Sequence, residues 1–86
     1  MKSVQVYSSP WCAGCKTIKK VLTEKNINFK EIDITAPEGG IKAKELGIKN
    51  IPVTYVHNLV GNISSEQKFI GSKPETIKQI LEAIGD

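Results

Sequence analysis

The sequence contains no arginine, and this absence limits the partners that the chain can recognise. All 12 basic residues are lysines, set against 9 acidic residues, and the net charge is +3. Bidentate recognition of phosphate groups or guanine edges relies on the planar guanidinium group of arginine. The lysines are scattered apart from Lys16, Lys19 and Lys20, which are expected to form a solvated helix face. We therefore expect no nucleic-acid partner.

Long hydrophobic runs are also missing. No apolar stretch approaches the roughly 20 residues that span a bilayer. The chain begins directly with alternating polar and apolar residues rather than with the apolar segment of a signal peptide. Its length of 86 residues suits one domain. These features predict a single domain over residues 1–86 that works in the cytoplasm as a monomer, without membrane contact.

Cysteine is scarce, and its placement restricts the chemistry. The two cysteines lie together in Cys12-Ala13-Gly14-Cys15, and His57 is the one histidine. Two cysteines are too few to staple a small secreted domain, and tetrahedral structural zinc needs four ligands. We therefore expect redox chemistry with no bound metal and no prosthetic cofactor. A soft monovalent metal held by two thiolates and an inert interaction domain remain as the alternatives.

The hydrophobic periodicity predicts an α/β fold with the order β-α-β-α-β-β-α. Strands are expected near residues 4–8, 29–34, 53–56 and 68–70, and helices at about 13–25, between 35 and 47, and between 72 and 85. The first two strands should be parallel because a crossover helix joins them, and the last two should form a hairpin. The prediction is a four-stranded mixed sheet with helices on both faces.

Local signals specify where the second and third helices begin. Segments 35–38 and 72–75 each have the form of a capping box, a Thr or Ser followed three residues later by Glu. Each also carries a proline in the first turn. Ile41 and Leu46, with Ala43, are expected to form the buried side of the second helix, although Gly39 and Gly40 weaken it. The connection between the last two strands is expected over Asn58–Ser65.

The two cysteines are predicted to differ in accessibility and reactivity. Cys12 falls at the start of the first helix, where unpaired backbone N–H groups and a partial positive charge stabilise a thiolate and lower the pKa of its thiol. Cys15 shares its helix face with Ile18 and Leu22, so it should point to the core. An exposed, activated thiol beside a sheltered one is the arrangement that disulfide exchange needs.

Residues near the pair are candidates for contacting a substrate. Trp11 could offer a flat apolar contact beside Cys12, or it could be a core residue. Pro52 cannot donate to a sheet and should open a strand, and the Ile51-Pro52 bond could be cis or trans. A cis bond would leave the backbone of Ile51 free to pair with an extended substrate.

Three parts of the sequence together resemble a known family. These are the stretch from Val6 to Lys16, the pair Ile51-Pro52, and Phe69–Glu75. They resemble glutaredoxins of the thioredoxin-fold superfamily, and in particular the NrdH-type redoxins that reduce ribonucleotide reductase. Trp-Cys-Ala-Gly-Cys differs from the usual Cys-Pro-Tyr-Cys of glutaredoxins, and Gly71-Ser72 lacks the second glycine of their glutathione site.

The resemblance implies a thiol–disulfide oxidoreductase whose working group is the Cys12–Cys15 disulfide. Its implied substrates are oxidised protein disulfides, with ribonucleotide reductase as a candidate partner. Glutathione or thioredoxin reductase would supply the electrons, and both remain open. Gly71 and Ser72 are implied as substrate contacts beside Ile51-Pro52.

Overall fold

The predicted order of strands and helices is confirmed by the computed structural model, which describes residues 2–85. The elements are β1 (Lys2–Ser8), α1 (Ala13–Glu24), β2 (Lys30–Asp33), α2 (Pro37–Glu45), β3 (Val53–Val60), β4 (Ile63–Ile70) and α3 (Pro74–Ile84). Asn26, with a φ of 58°, follows α1 in the left-handed conformation that often ends a helix. Among residues 2–85, no helix has the length and apolar character needed to cross a membrane.

The four strands form one mixed sheet in the order β2-β1-β3-β4. β1 is parallel to β2, with Val6 opposite Glu31. β3 is antiparallel to both β1 and β4, so Thr54 lies between Val6 on one side and Phe69 on the other. This topology confirms the predicted thioredoxin-like fold.

Apolar side chains cover both faces of the sheet. On the face that we call the α1/α3 face, the buried cluster consists of Val4, Val6, Ile18, Leu22, Val56 and Ile80. On the opposite face, the α2 face, it consists of Tyr7, Ile32, Ala43, Val53 and Tyr55. The rings of Tyr7 and Tyr55 meet edge to face at 5.5 Å. Successive residues of a strand therefore point to opposite faces of the sheet and pack against different helices.

The β3–β4 hairpin is longer than its sequence pattern predicts. The connection is only Gly61-Asn62, instead of the predicted Asn58–Ser65, and Gly61 has a φ of 60°. Two-residue hairpin turns require such a positive φ, which glycine adopts without strain. Residues 59–68 are exposed, so burial imposes no alternation on the sequence there. Backbone pairing nevertheless continues both strands up to the turn.

The buried side of α2 differs from the prediction. Ile41 is 61% exposed and Leu46 is also exposed, whereas Gly39 and Ala43 are buried. A Cβ atom at Gly39 would overlap the carbonyl oxygen of Asp33. α2 therefore approaches the end of β2 too closely for a large side chain, and small residues form the contact.

Both predicted capping boxes are wrong. α2 and α3 begin at Pro37 and Pro74, and the residues immediately before these prolines occupy the cap without a side-chain hydrogen bond. Proline suits the first helical position, so it moves the cap one residue along the chain. Thr35 instead donates from its backbone N–H and its hydroxyl to Asp33 Oδ1, at 2.8 and 2.6 Å. Ser72 lies beside the first turn of α1.

Candidate active site

The two cysteines are joined by a disulfide at the start of α1. Cys12 is the N-cap residue, with extended backbone angles (φ −95°, ψ 109°), and its side chain is partly accessible. Cys15 is fully buried on the same helix face as Ile18 and Leu22. The structure therefore has the inward orientation that helical spacing predicts for Cys15, with Cys12 at the surface.

The start of α1 provides hydrogen bonding and a favourable field for the Cys12 sulfur. Cys12 Sγ accepts a hydrogen bond from the backbone N–H of Cys15 at 3.1 Å. No acidic residue lies in the first turn of the helix. Since a helix N-terminus carries partial positive charge, negative charge on this sulfur would be stabilised.

Trp11 projects from the loop that leads into α1. Its side chain is 81% exposed, so the alternative that it belongs to the core is excluded. The loop is tightened by the backbone N–H of Cys12, which donates to the carbonyl of Ser9 at 3.3 Å. A large apolar ring thus stands in solvent one residue before Cys12.

Gly14 is the point where three segments meet. A Cβ atom at this position would lie 2.5 Å from Ser72 Oγ and 3.3 Å from Pro52 Cδ. The absence of a side chain at Gly14 is therefore required for packing within the protein. This contact places Ser72 and Pro52 directly beside the cysteine pair.

The Ile51-Pro52 peptide bond is cis, which decides between the two isomers that the sequence allowed. Pro52 is buried and Ile51 is partly exposed. The carbonyl of Pro52 accepts a hydrogen bond from the backbone N–H of Gly71 at 2.9 Å, and Gly71 has a φ of 101°. The structure thus brings Ile51, Pro52, Gly71 and Ser72 together beside the disulfide.

A polar cluster on the α1/α3 face was missed by the sequence analysis. The Ser8 hydroxyl donates to Glu31 Oε2 at 2.8 Å, and Lys19 forms an ion pair with the same carboxylate. The Lys19 hydrogen bond, followed by that of Ser8, holds the pKa of Glu31 below its usual value. The only available signal was strand alternation, which puts Glu31 on the opposite face from Ile32.

Metal-ligating side chains are dispersed. Within residues 2–85, no group of three or more His, Cys, Asp and Glu residues is placed to hold a metal ion. His57 lies inside β3, because this strand continues to Val60 instead of ending near residue 56 as predicted. Its Nδ1 atom is 3.7 Å from Glu66 Oε2 on the neighbouring strand.

The fold and the cysteine pair place this chain in the class of thioredoxin-fold proteins. Solved structures share the fold at low sequence identity. A thioredoxin from Plasmodium falciparum matches with a TM-score of 0.74 and 18% identity, over 94% of this chain and 69% of that one. NrdH-redoxin from Escherichia coli, described as glutaredoxin-like with a thioredoxin-like activity profile, matches with a TM-score of 0.60 and 20% identity, over 91% and 93% of the two chains.

The chain belongs to the glutaredoxin family, whose family model matches residues 4–60. The glutaredoxin-like protein NrdH of Lactococcus lactis subsp. cremoris is 45% identical over 51 residues, which are 58% of this chain and 71% of that protein. A thioredoxin-like prophage protein of Bacillus subtilis, YosR, is 29% identical over 87% of this chain and 89% of its own length. This is therefore a glutaredoxin-like, NrdH-type protein, and family and cysteine pair together support a thiol–disulfide redox role.

Proposed function

We propose that this protein is a dithiol–disulfide oxidoreductase that reduces protein disulfides, with Cys12 as nucleophile and Cys15 as resolving thiol. The observation that carries the proposal is the difference between the two cysteines. Cys12 caps α1 and is accessible, whereas Cys15 is buried three residues later. Only one thiol can therefore meet a protein substrate, and the other is held within bonding distance of it.

The reaction consists of two exchange steps. The Cys12 thiolate attacks one sulfur of the substrate disulfide, a bond forms between them, and the electron pair of the broken S–S bond leaves with the second substrate sulfur. The Cys15 thiolate then attacks Cys12 Sγ, which re-forms the Cys12–Cys15 disulfide and releases the first substrate sulfur as a thiolate. Both substrate thiolates take protons from solvent. The protein is oxidised by two electrons and the substrate is reduced by two.

The surface around Cys12 supplies the substrate contacts in this proposal. The exposed ring of Trp11 offers an apolar face, and the accessible backbone of Ile51 can pair with an extended segment of substrate. The surface next to Trp11 and Ile51 is formed by Pro52, Gly71 and Ser72. The backbone N–H of Gly71 donates to the carbonyl of Pro52, and Ser72 packs against the start of α1. This arrangement favours an extended chain over a compact small molecule.

The proposal includes a cellular setting. Electrons come from outside the protein, through glutathione or thioredoxin reductase, and no bound prosthetic group is needed. Oxidised protein disulfides are the substrates, and the similarity to NrdH proteins supports ribonucleotide reductase as a partner. We place the protein in the cytoplasm as a monomeric single domain.

Serine variants of the two cysteines test the mechanism. In an insulin-reduction assay, Cys12→Ser should abolish activity because the attacking thiol is lost. Cys15→Ser should accumulate a mixed disulfide on Cys12, detectable by mass spectrometry of the intact protein. Equal, undiminished activity in both variants would overturn the mechanism. The wild-type assay run with glutathione and its reductase, and separately with thioredoxin reductase, identifies the electron donor.

A further inference from the structure

Thr54 is a buried polar residue without an internal partner. Its side chain is 0% exposed, and its hydroxyl has no hydrogen-bond partner among residues 2–85. Ser8, which is also buried, satisfies its hydroxyl by donating to Glu31. Because an unpaired buried hydroxyl is unfavourable, its retention in the core calls for an explanation.

The position of Thr54 in β3 places its side chain on the α1/α3 face. Its two neighbours in the strand, Val53 and Tyr55, belong to the cluster on the α2 face. Successive strand residues point to opposite faces, so Thr54 points the other way. It lies directly across from Val6, which belongs to the α1/α3 cluster.

Cys15 is buried on this same face, at the same end of the sheet. It lies one helical turn before Ile18, which packs on Val6 and its neighbours. Thr54 is two residues after Pro52, whose ring closely approaches Gly14, the residue before Cys15. Strand and helix thus place the hydroxyl and the buried sulfur on the same face and at the same end of the sheet.

We propose that the Thr54 hydroxyl donates a hydrogen bond to the Cys15 sulfur when the disulfide is reduced, and so positions and stabilises the resolving thiolate. This inference rests on the proposed function. A disulfide sulfur is neutral and a poor acceptor, whereas a buried thiolate is a strong one. The unpaired hydroxyl of the oxidised protein therefore acquires its partner in the reduced protein.

Few other groups can provide this stabilisation. Cys12 is the other titratable group of the pair, while Glu31 of β2 and Lys19 of α1 are bonded to each other at the β2 side of this face. Ser8 of β1 is also buried on this face, but its hydroxyl already donates to Glu31. The cluster residues from β1, α1 and α3 are apolar, and Phe69 of β4 lies across from Thr54. Lys73, which precedes α3, and Lys78 of α3 are exposed.

The step that Thr54 affects can be isolated with a chromophoric aryl disulfide, 5,5′-dithiobis(2-nitrobenzoate). Cys12 attacks the reagent and releases one aryl thiolate. The Cys15 thiol then loses its proton to solvent, and its thiolate attacks Cys12 Sγ. This step forms the Cys12–Cys15 bond and releases the second aryl thiolate. The two releases appear as two kinetic phases in stopped-flow absorbance. The first phase reports Cys12 and the second reports Cys15.

Thr54→Val should slow the second phase roughly tenfold near neutral pH, the effect of losing one hydrogen bond to a charged group. The first phase should be unchanged. The deficit should disappear at high pH, because Cys15 is then ionised without help from the hydroxyl. The pH midpoint of the second phase should rise by about one unit.

Two further variants separate this role from a packing role. Thr54→Ser retains the hydroxyl and should keep the low pH midpoint, whereas Thr23→Val, an exposed Thr-to-Val control on α1, should change neither phase. A second phase that is unaltered in Thr54→Val, or slowed equally at every pH, overturns the inference. A second phase that survives in Cys15→Ser contradicts the proposed function instead.

Discussion

At the scale of single residues, two positions near the start of α1 and in β3 are unusual: one has no side chain, and the other has a buried hydroxyl without a hydrogen-bond partner. Gly14 has no Cβ, and Ser72 and Pro52 occupy the space where one would lie. Thr54 has a hydroxyl that nothing else in the described structure binds. Gly14 lies between the two cysteines in the sequence, and Thr54 is buried on the face of the sheet that α1 covers. The neighbours of the cysteines therefore determine how these sulfurs are presented.

Gly14→Ala should reveal the close contact at the start of α1. Alanine favours a helix by about 1 kcal/mol over glycine, but its methyl group would overlap Ser72 Oγ and crowd Pro52, which costs about 1–3 kcal/mol. We expect a net loss of about 1 kcal/mol in the free energy of unfolding, measured in urea.

The matched double variant distinguishes overlap from other effects. In a Ser72→Gly background, the same Gly14→Ala change should be clearly less destabilising, because the overlapping hydroxyl is gone and only the milder contact with Pro52 opposes the helix preference. If Gly14→Ala destabilises both backgrounds equally, Ser72 is not the cause.

At the scale of secondary-structure elements, polar contacts tie α1 to the two parallel strands. Lys19 of α1 and Ser8 of β1 both bond to Glu31 of β2. The carboxylate is partly exposed, so solvent screens its interactions. The carboxylate connects three elements next to the loop that leads into α1.

Glu31→Gln should produce a small loss of stability that depends on pH. The folded-state pKa of Glu31 is lowered, so the ionised group stabilises the fold above the usual glutamate pKa of about 4.3. This stabilisation is lost as the pH falls through the lower, folded-state pKa. Urea unfolding should therefore show a deficit of under about 1 kcal/mol at pH 7, which disappears in strong acid.

The other lysine–glutamate pair of α1 provides the control for this experiment. Lys20 and Glu24 are 4.0 Å apart and largely exposed, so Glu24→Gln should change stability by about 0.3–0.5 kcal/mol at most. A Glu31→Gln deficit that persists unchanged in strong acid would contradict the assignment to the ionised carboxylate.

At the scale of the whole molecule, two apolar clusters separated by the sheet hold the fold together. The cluster on the α1/α3 face joins β1, β3, α1 and α3, and the cluster on the α2 face joins β1, β2, β3 and α2. The Cys12–Cys15 disulfide lies at the start of α1. The Cys12–Cys15 bond closes a very short loop and therefore constrains the unfolded chain little. We expect the burial of the two apolar clusters to supply most of the free energy of unfolding.

Two isoleucines, one buried and one exposed, test whether the apolar clusters supply this stability. Ile80 of α3 is 2% exposed within the α1/α3 cluster, whereas Ile41 of α2 is 61% exposed. Ile80→Ala should cost about 2–4 kcal/mol in the free energy of unfolding, through lost burial and a residual cavity. Ile41→Ala should change it by under about 0.5 kcal/mol. A comparable loss in both variants would mean that α2 does bury Ile41, as its sequence pattern suggested.

Much of the fold and part of the site could be predicted because their causes are local. Helical spacing places Cys15 beside Ile18 and Leu22, and the structure buries all three. The same periodicity predicts the order of strands and helices. In the exposed β3–β4 hairpin, burial imposes no alternation of polar and apolar residues. The lengths of these two strands could therefore not be predicted from the sequence.

The sequence by itself determined the element order, the family resemblance and the inward orientation of Cys15, since each depends on residues a few positions apart. Only the tertiary structure decided the remaining features. It placed Ser72 and Pro52 against Gly14, joined Ser8 and Lys19 through Glu31, and buried Thr54 without a partner. These contacts join residues 12 or more positions apart in the chain, and no local periodicity encodes them. The distance between two such side chains is set by how strands and helices pack.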